Sequence, residues 1–304
     1  MRSYPTLALR NTLSSRVQLD PEQILIMSYS TQNIVAWYDF SDPDTMFTDV
    51  SGTAKASDGN RIMHVTNKAW DGLTSSSTSL NKFIAQSSAT ASDQPTWTSR
   101  AGLASGYLTY TGTEELFSTI LLGQCSAGRM GGVTVNHENT TISFVIKNSN
   151  VTESSDHSYI SFQNAARRLA IIGIESTDDQ MHYWPEYSGS DVDSGTAYST
   201  DIDSWTIIMG TANTSGTDVR NLRIYKNGVL VKTDTSTDYT GYDKDMTANS
   251  GYVQFTLGAS PGSADQFVGR IYEYVQYNTA LSDYQHDQLN TYYSNKYGID
   301  YNLL

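Results

Sequence analysis

The stretch FVGRIYEYVQYNTALSDYQHDQLNTYYSNKYGI, Phe267 to Ile299, decides the fold. Its first half alternates like a half-buried strand, which predicts Ile271, Glu273, Val275 and Tyr277 on one side and Tyr272, Tyr274 and Gln276 on the other. Asn278 then opens a turn. Ser282 is a good N-cap, and Gln285 three residues later completes a capping box. Tyr284, Leu289, Tyr292, Tyr293 and Lys296 follow at spacings of three and four, the stripe of an amphipathic helix that Gly298 ends.

Upstream of this close the chain is punctuated like an all-β protein. Gly, Ser, Thr, Asn and Asp crowd the connections, and Val, Ile, Phe, Trp and Tyr fall in short runs. TISFVIKN (Thr141 to Asn148), HSYISFQN (His157 to Asn164), RLAIIGIES (Arg168 to Ser176), SWTIIMGTA (Ser204 to Ala212) and YVQFTLGAS (Tyr252 to Ser260) read as strands. LRIYKNGVLV (Leu222 to Val231) is the clearest hairpin, with Asn227-Gly228 at its turn where both positions accept positive φ. LTSSSTSLN (Leu73 to Asn81) reads as a long surface loop. The 304 residues suit one large sandwich with an appendage, or two small domains. Twenty-one Tyr and five Trp supply side chains with an apolar body and a polar tip, for the core and its rim or for binding faces.

The two ends of the sandwich carry a family resemblance. The last strand matches the pattern F-x-G-x-I-x-E at Phe267, Gly269, Ile271 and Glu273, followed by Ala280-Leu281-Ser282 and a helix ending in Lys296-Tyr297-Gly298. Near the start, NIVAWYDFSDPDT supplies W-x-D-x-S-D at Trp37, Asp39, Ser41 and Asp42. RIMHVTNKA (Arg61 to Ala69) occupies a further strand station, with His64 in place of an aromatic and Asn67 in place of an acid. Gln94-Pro95-Thr96-Trp97 and YLTYTGTEELF (Tyr107 to Phe117) fit two more, Tyr110-Thr111-Gly112 standing for an F-D-G. These stations resemble the concanavalin A-like, laminin-G-like jelly rolls, of the kind found in phage virion surface proteins. The likeness runs in outline from residue 34 to residue 299. It implies an all-β, concanavalin A-like (laminin-G-like) β-sandwich jelly roll with a short C-terminal helix and an N-terminal arm. It also implies that Glu273 is a structural fixture of the last strand.

The domain reading is an anchoring arm over residues 1–30 and the sandwich over 31–304. Asp20-Pro21-Glu22-Gln23 resembles a helix start leading into Ile24 to Met27, a joint between arm and sandwich. Charge divides along the same line. Residues 1–19 hold Arg2, Arg10 and Arg16 and no acid, and taking that +3 from the formal −13 leaves −16 on the remainder. The acidic remainder disfavours nucleic acid as a partner. The basic arm reads either as a dock for an acidic neighbour or as a frayed terminus. The single cysteine, Cys125, allows no intrachain disulfide and reads as a small buried hydrophobe. No segment has signal-peptide or membrane-spanning character, so neither signal-directed export nor a membrane partner is expected.

Candidate chemistry is thin. Glucanases of this fold alternate two carboxylates on one strand, so that an acid and a nucleophile converge. That spacing is missing: Asp191/Asp193 and Asp201/Asp203 lie in loop-like sequence, and Glu114-Glu115 are adjacent. The expectation is a protein that is not an enzyme. His64, His137, His157, His182 and His286 show no metal-ligand spacing and read as polar surface residues. AGRMGG (Ala127 to Gly132) lacks the ending of a phosphate loop. The best metal candidate is calcium on Asp39, Asp42, Asp44 and Asp49, hard oxygen donors in one loop-like run, which also reads as a solvated acidic turn. Trp184 and Tyr187 in HYWPEYSG could stack on a sugar or form an interface patch.

The functional expectation is a phage virion structural protein: a capsid decoration, head-fibre or tail-associated subunit displaying a laminin-G-like domain. Its partners would be other virion proteins through the arm (Arg2, Arg10, Arg16), further copies in a homo-oligomer, and cell-surface glycans. A microbial carbohydrate-binding lectin domain is the second reading, and a glycoside hydrolase or lyase the third.

Overall fold

A strand with one buried face and one helix-covered face must be apolar on both sides, and β19 (Val268–Tyr277) is buried almost throughout. The computed structural model describes residues 34–68, 82–85, 94–100, 106–112, 116–120, 129–130, 133–134, 139–149, 157–164, 167–174, 180–184, 192–197, 204–215, 219–236, 253–258, 267–277 and 279–300. The arm (residues 1–30), the loop at 73–81, Glu114, Glu115, Cys125, His137, Tyr187, Asp191, Asp201 and Asp203 lie outside the described residues.

In chain order the strands begin with β1 (Ile34–Asp39), β2 (Met46–Phe47), β3 (His64–Thr66), β4 (Lys82–Ala85) and β5 (Thr96–Ser99). Then come β6 (Gly106–Thr111), β7 (Leu116–Ile120), β8 (Arg129–Met130), β9 (Val133–Thr134) and β10 (Asn139–Asn148). β11 (His157–Asn164), β12 (Arg167–Ile174), β13 (Gln180–Trp184), β14 (Val192–Ala197) and β15 (Trp205–Ser215) follow. β16 (Val219–Lys226), β17 (Val229–Ser236), β18 (Val253–Leu257) and β19 lead into the helix α1 (Asp283–Tyr297). One sheet runs β17-β16-β15-β10-β19-β6-β5, with β1 also on β19. The other runs β14-β13-β12-β11-β18-β7-β4-β3-β2, and β8 pairs β9 alone. Antiparallel pairing in both sheets makes this an all-β sandwich of jelly-roll type.

β19 organises the first sheet. β10 lines one flank along its length, while β6 and β1 divide the other. Ile146 lies opposite Ile271 and Val145 opposite Glu273, so Tyr272 is an extra residue, a bulge. Because Phe144 and Ile146 share a face, Ile271 and Tyr274 share it too. The predicted two-residue alternation therefore breaks at Tyr272. Ile271 leaves the side of Glu273, and Tyr272 joins the helix-facing cluster with Val275 and Tyr277. There Tyr272 stacks on Trp205 and Tyr297, with ring centroids 3.9 and 4.5 Å away. Gly269 just before the bulge explains one residue of the resemblance, since a Cβ there would sit 2.3 Å from the carbonyl oxygen of Lys147.

The helix forms as its caps dictate. Ser282 and Gln285 close the capping box, and Gly298 at φ 67° ends it by donating to the Ser294 carbonyl. Its buried stripe is His286, Leu289, Asn290, Tyr293 and Tyr297, flanked by Tyr292. Tyr284 is 69% exposed, against its expected place on that stripe. It lies at the start of α1 and out of phase with positions 286, 289 and 293, which face the sheet. His286 is fully buried, and His64 nearly so, which corrects the surface reading of both.

Two other expectations changed in detail. YLTYTGTEELF divides into β6 of the first sheet and β7 of the second, with Gly112 at φ 100° after β6. RIMHVTNKA keeps only His64–Thr66 as a strand. The hairpin of β16 and β17 turns at Asn227 (φ 48°) and Gly228 (φ 81°), as predicted.

Candidate functional site

The two stations of the resemblance meet in space. β1 pairs antiparallel with β19 so that Asp39 lies opposite Glu273. Directly opposed residues share a face, and this face lies under the last turns of α1. Lys296 Nζ donates to Asp39 Oδ2 at 2.7 Å and to Glu273 Oε2 at 2.9 Å. Trp37 Nε1–H donates to Glu273 Oε1 at 2.6 Å, and the Tyr292 hydroxyl to the same oxygen at 3.0 Å. The Tyr297 hydroxyl donates to Glu273 Oε2. The other Asp39 oxygen accepts from the backbone N–H (3.1 Å) and hydroxyl (2.6 Å) of Ser41. First strand, last strand and helix are thereby clasped by one buried polar network.

Electrostatics fixes its protonation. Burial pushes the Asp39 carboxyl up, but the Lys296 and Lys68 ammoniums outweigh that and hold it below its ordinary value. Burial pulls Lys296 down, and Glu273 and Asp39 together more than reverse the effect. Glu273 is fully buried, and there burial dominates: its carboxyl is raised, with Lys296 pulling the other way. Burial and then Glu273 drive the Tyr292 and Tyr297 phenols well above their ordinary range, which keeps both as donors. Every oxygen of Asp39 and Glu273 is thus bonded. The chemical work of this centre is to lock the fold.

The four acids of the calcium reading do not converge. Asp39 serves the clasp. Asp42 caps a single 3-10 turn at Pro43–Thr45 by accepting from Asp44 N–H at 3.0 Å. The cation between Asp39 and Asp42 is the Lys68 ammonium, 3.1 Å from each. Asp44 pairs with Lys55. Asp49 accepts from the hydroxyls of Ser51 and Thr53 and the N–H groups of Thr53 and Ala54, bonds that hold its carboxyl far below the usual range. Among the described residues no three His, Cys, Asp or Glu side chains are grouped to hold a metal ion.

Other predicted site residues fare unevenly. Trp184 ends β13, its backbone paired with Ile171, while Tyr187 and Arg2, Arg10 and Arg16 lie outside the described residues. Asn67, which stands where the family pattern has an acid, is buried and accepts from Trp37 N–H at 2.8 Å, holding β1 in place. Lys68 and Lys296 were not assigned by sequence. Lys296 stands in the quoted helix ending, but its partner Asp39 is 257 residues away along the chain.

A family model described as the concanavalin A-like lectin/glucanases superfamily matches residues 124–285, over half of the chain. No curated protein sequence matches it. Among solved structures the chain is similar to the binding domain of Paraclostridial Mosquitocidal Protein 1, with 11% identity, a TM-score of 0.51, and coverage of 87% of this chain and 53% of that one. It is similar to a Trypanosoma rangeli sialidase in complex with 2,3-difluoro-KDN, with 8% identity and a TM-score of 0.50, over 88% of this chain and 33% of that one. A third similar structure is domain 4 of an extracellular arabinanase from Geobacillus stearothermophilus, with 15% identity and a TM-score of 0.45, over 86% of this chain and 98% of that one. The chain spans a third of the sialidase and about half of the mosquitocidal protein's binding domain, and these identities show the fold alone. The expectation that the chain is not an enzyme is corrected here. The superfamily's description covers both lectins and glucanases, and a sialidase is among the similar structures, which leaves enzymatic activity undetermined.

Proposed function

We propose that this chain, which belongs to the concanavalin A-like lectin/glucanases superfamily, is a surface-display subunit of a phage virion. It is a capsid decoration, head-fibre or tail-associated protein whose laminin-G-like sandwich adheres to glycans of a host surface, and whose residues 1–30 anchor it. The observation that carries the reading is the division of charge: Arg2, Arg10 and Arg16 with no acid before Asp20, in a chain of formal charge −13. A basic segment on an acidic body is suited to docking on an acidic neighbour. The clasp supports the same reading. Load drawn through an N-terminal anchor would enter the sandwich at β1, which is bonded along β19 and tied by Asp39 and Lys296 to the helix. The superfamily's own description, lectins and glucanases, supports a glycan as the surface ligand.

Particles assembled with the full chain, and with a chain lacking residues 1–19, test the proposal. The full chain should co-purify with virions, and the shortened chain should keep its melting temperature yet fail to incorporate. Absence of the full chain from particles would overturn the virion reading. Full incorporation of the shortened chain would show that the arm is not the anchor.

A further inference from the structure

Beside the N-terminal end of α1 a cleft of about 440 Å³ opens onto the first sheet. Its floor is a small lattice of side chains from two neighbouring strands. Thr211 lies opposite Arg223, and Asn213 opposite Asn221, across β15 and β16. Residues two apart on a strand and directly opposed across a pair project from one face. It is the face on which Met209 and Tyr225 pack against the helix. The row continues to β10, where Asn139 lies opposite Asn213. Three asparagines therefore stand side by side across three strands. Asparagine is depleted in strands, so the row departs from what the sheet itself would select, and such local departures gather at functional positions.

The wall is the helix start, and its charges are fixed and balanced. Asp283 Oδ1 accepts from the Tyr225 hydroxyl at 3.3 Å and pairs with Arg223 Nη1 at 3.5 Å. The cleft thus offers one cation offset by one anion, with amides that each both donate and accept. That mixture matches neighbouring hydroxyl groups, which also donate and accept, better than it matches a charged group. The net charge of −13 adds a penalty against anions. The volume is in the range of small-ligand sites, roughly 300–1,000 Å³, and Leu281 adds an apolar contact.

We infer that this cleft binds a neutral, hydroxyl-rich ligand, the end of a short saccharide. The inference rests on the glycan-adhesion reading above and gives it a site. The test is a printed array of neutral and sialylated oligosaccharides, probed with the full chain displayed multivalently on streptavidin. Asn213→Trp fills the cleft from an exposed strand position that tolerates an aromatic, and Asn221→Ala removes one amide. Asp44→Ala, at an exposed site outside the cleft lining, is the control. Unchanged melting curves certify that the variants fold. Neutral glycans should be retained by wild type and control, and weakened about tenfold or more by each cleft variant, Asn213→Trp by blocking the cleft and Asn221→Ala by removing a hydrogen bond to the ligand. Equal retention by the cleft variants would overturn the site while leaving the adhesion reading intact. Retention of sialylated glycans alone would overturn the ligand class. Wild type that retains no glycan would overturn the adhesion reading, and the site with it.

Discussion

At its C-terminal end α1 buries Tyr292, Tyr293 and Tyr297 against β19, while at its N-terminal end Tyr284 is 69% exposed and a cleft opens onto the sheet. Both ends lie over the same face of the same sheet. The rows beneath them differ: Tyr272, Val275 and Tyr277 under one, Thr211, Asn213 and Asn221 beside the other. The ion pairs differ in step. Lys296 and Glu273 are 2.9 Å apart with side chains 14% and 0% exposed, whereas Arg223 and Asp283 are 3.5 Å apart and 42% and 67% exposed. An acid–base pair in a dry tyrosine shell cannot part without leaving a buried charge. The same chemistry at a wet edge is free to meet a ligand. Solvation, set by the strand residues beneath, divides one helix into a fastening and a docking end.

The largest effect should come from breaking the dry end. Lys296→Met would leave Asp39 and Glu273 facing each other without their shared ammonium, at a cost of about 3–5 kcal/mol in denaturant unfolding. Asp39 keeps its pair with Lys68, so adding Glu273→Gln removes the carboxylate left facing no ammonium and should recover part of the loss. A Lys296→Met protein as stable as wild type would mean that the clasp is not closed in solution.

How far this contrast could be read from sequence depends on the range of the interactions. The capping box, the Gly298 cap and the Asn227-Gly228 turn are local, and each stands where its residues predict. The strand–helix close and the W-x-D-x-S-D station were legible for the same reason. The clasp was half legible: Asp39 and Glu273 were singled out, one for calcium and one as a fixture. What joins them is Lys296, and Lys68 fills the place between Asp39 and Asp42, through contacts that span long stretches of chain. The bulge at Tyr272 was hidden because period-two reading assumes an unbroken ladder, and only the partner strand reveals the extra residue. The cleft residues Asn213 and Asn221 fall one residue beyond the runs that read as strands, Ser204 to Ala212 and Leu222 to Val231, and their register across β15 and β16 is a property of the sheet.

A second prediction probes the boundary between the two ends. His286 is fully buried, stacked on Tyr225 with centroids 4.3 Å apart, and its Nε2 is 3.1 Å from the hydroxyl of Thr211, which also lines the cleft. Burial lowers its imidazole from 6.5 to about 4, with Asp283 acting upward and Arg223 downward. A group lowered in the folded state favours folding above its unfolded value, and that contribution drains away as pH falls from 6.5 through about 4. The loss amounts to about 3 kcal/mol. Glu273, raised by burial, titrates with the opposite sign, so the useful quantity is the difference between wild type and His286→Gln. Wild type should lose stability relative to the variant across that window, and parallel curves would mean that the imidazole is wet.

The smallest effects belong to the open end, and they sharpen the contrast best. Ser282 accepts from the Gln285 N–H at 3.4 Å and donates its own N–H to the Gln285 side chain at 2.8 Å, both at an exposed position. Ser282→Ala should cost about 1 kcal/mol, the ordinary worth of an N-cap, because water can replace the lost partner. Asn213→Ala should cost less, within about 0.5 kcal/mol, since its side chain is exposed and no core packing depends on it. Chemical unfolding of both variants beside Lys296→Met would order the three sites along the helix. If the open end were another fastening, Asn213→Ala would approach the cost of the clasp variant, because its amide would be holding the sheet to the helix. A near-zero cost at Asn213, together with loss of saccharide retention in Asn213→Trp, places that residue's role in the cleft rather than in the fold.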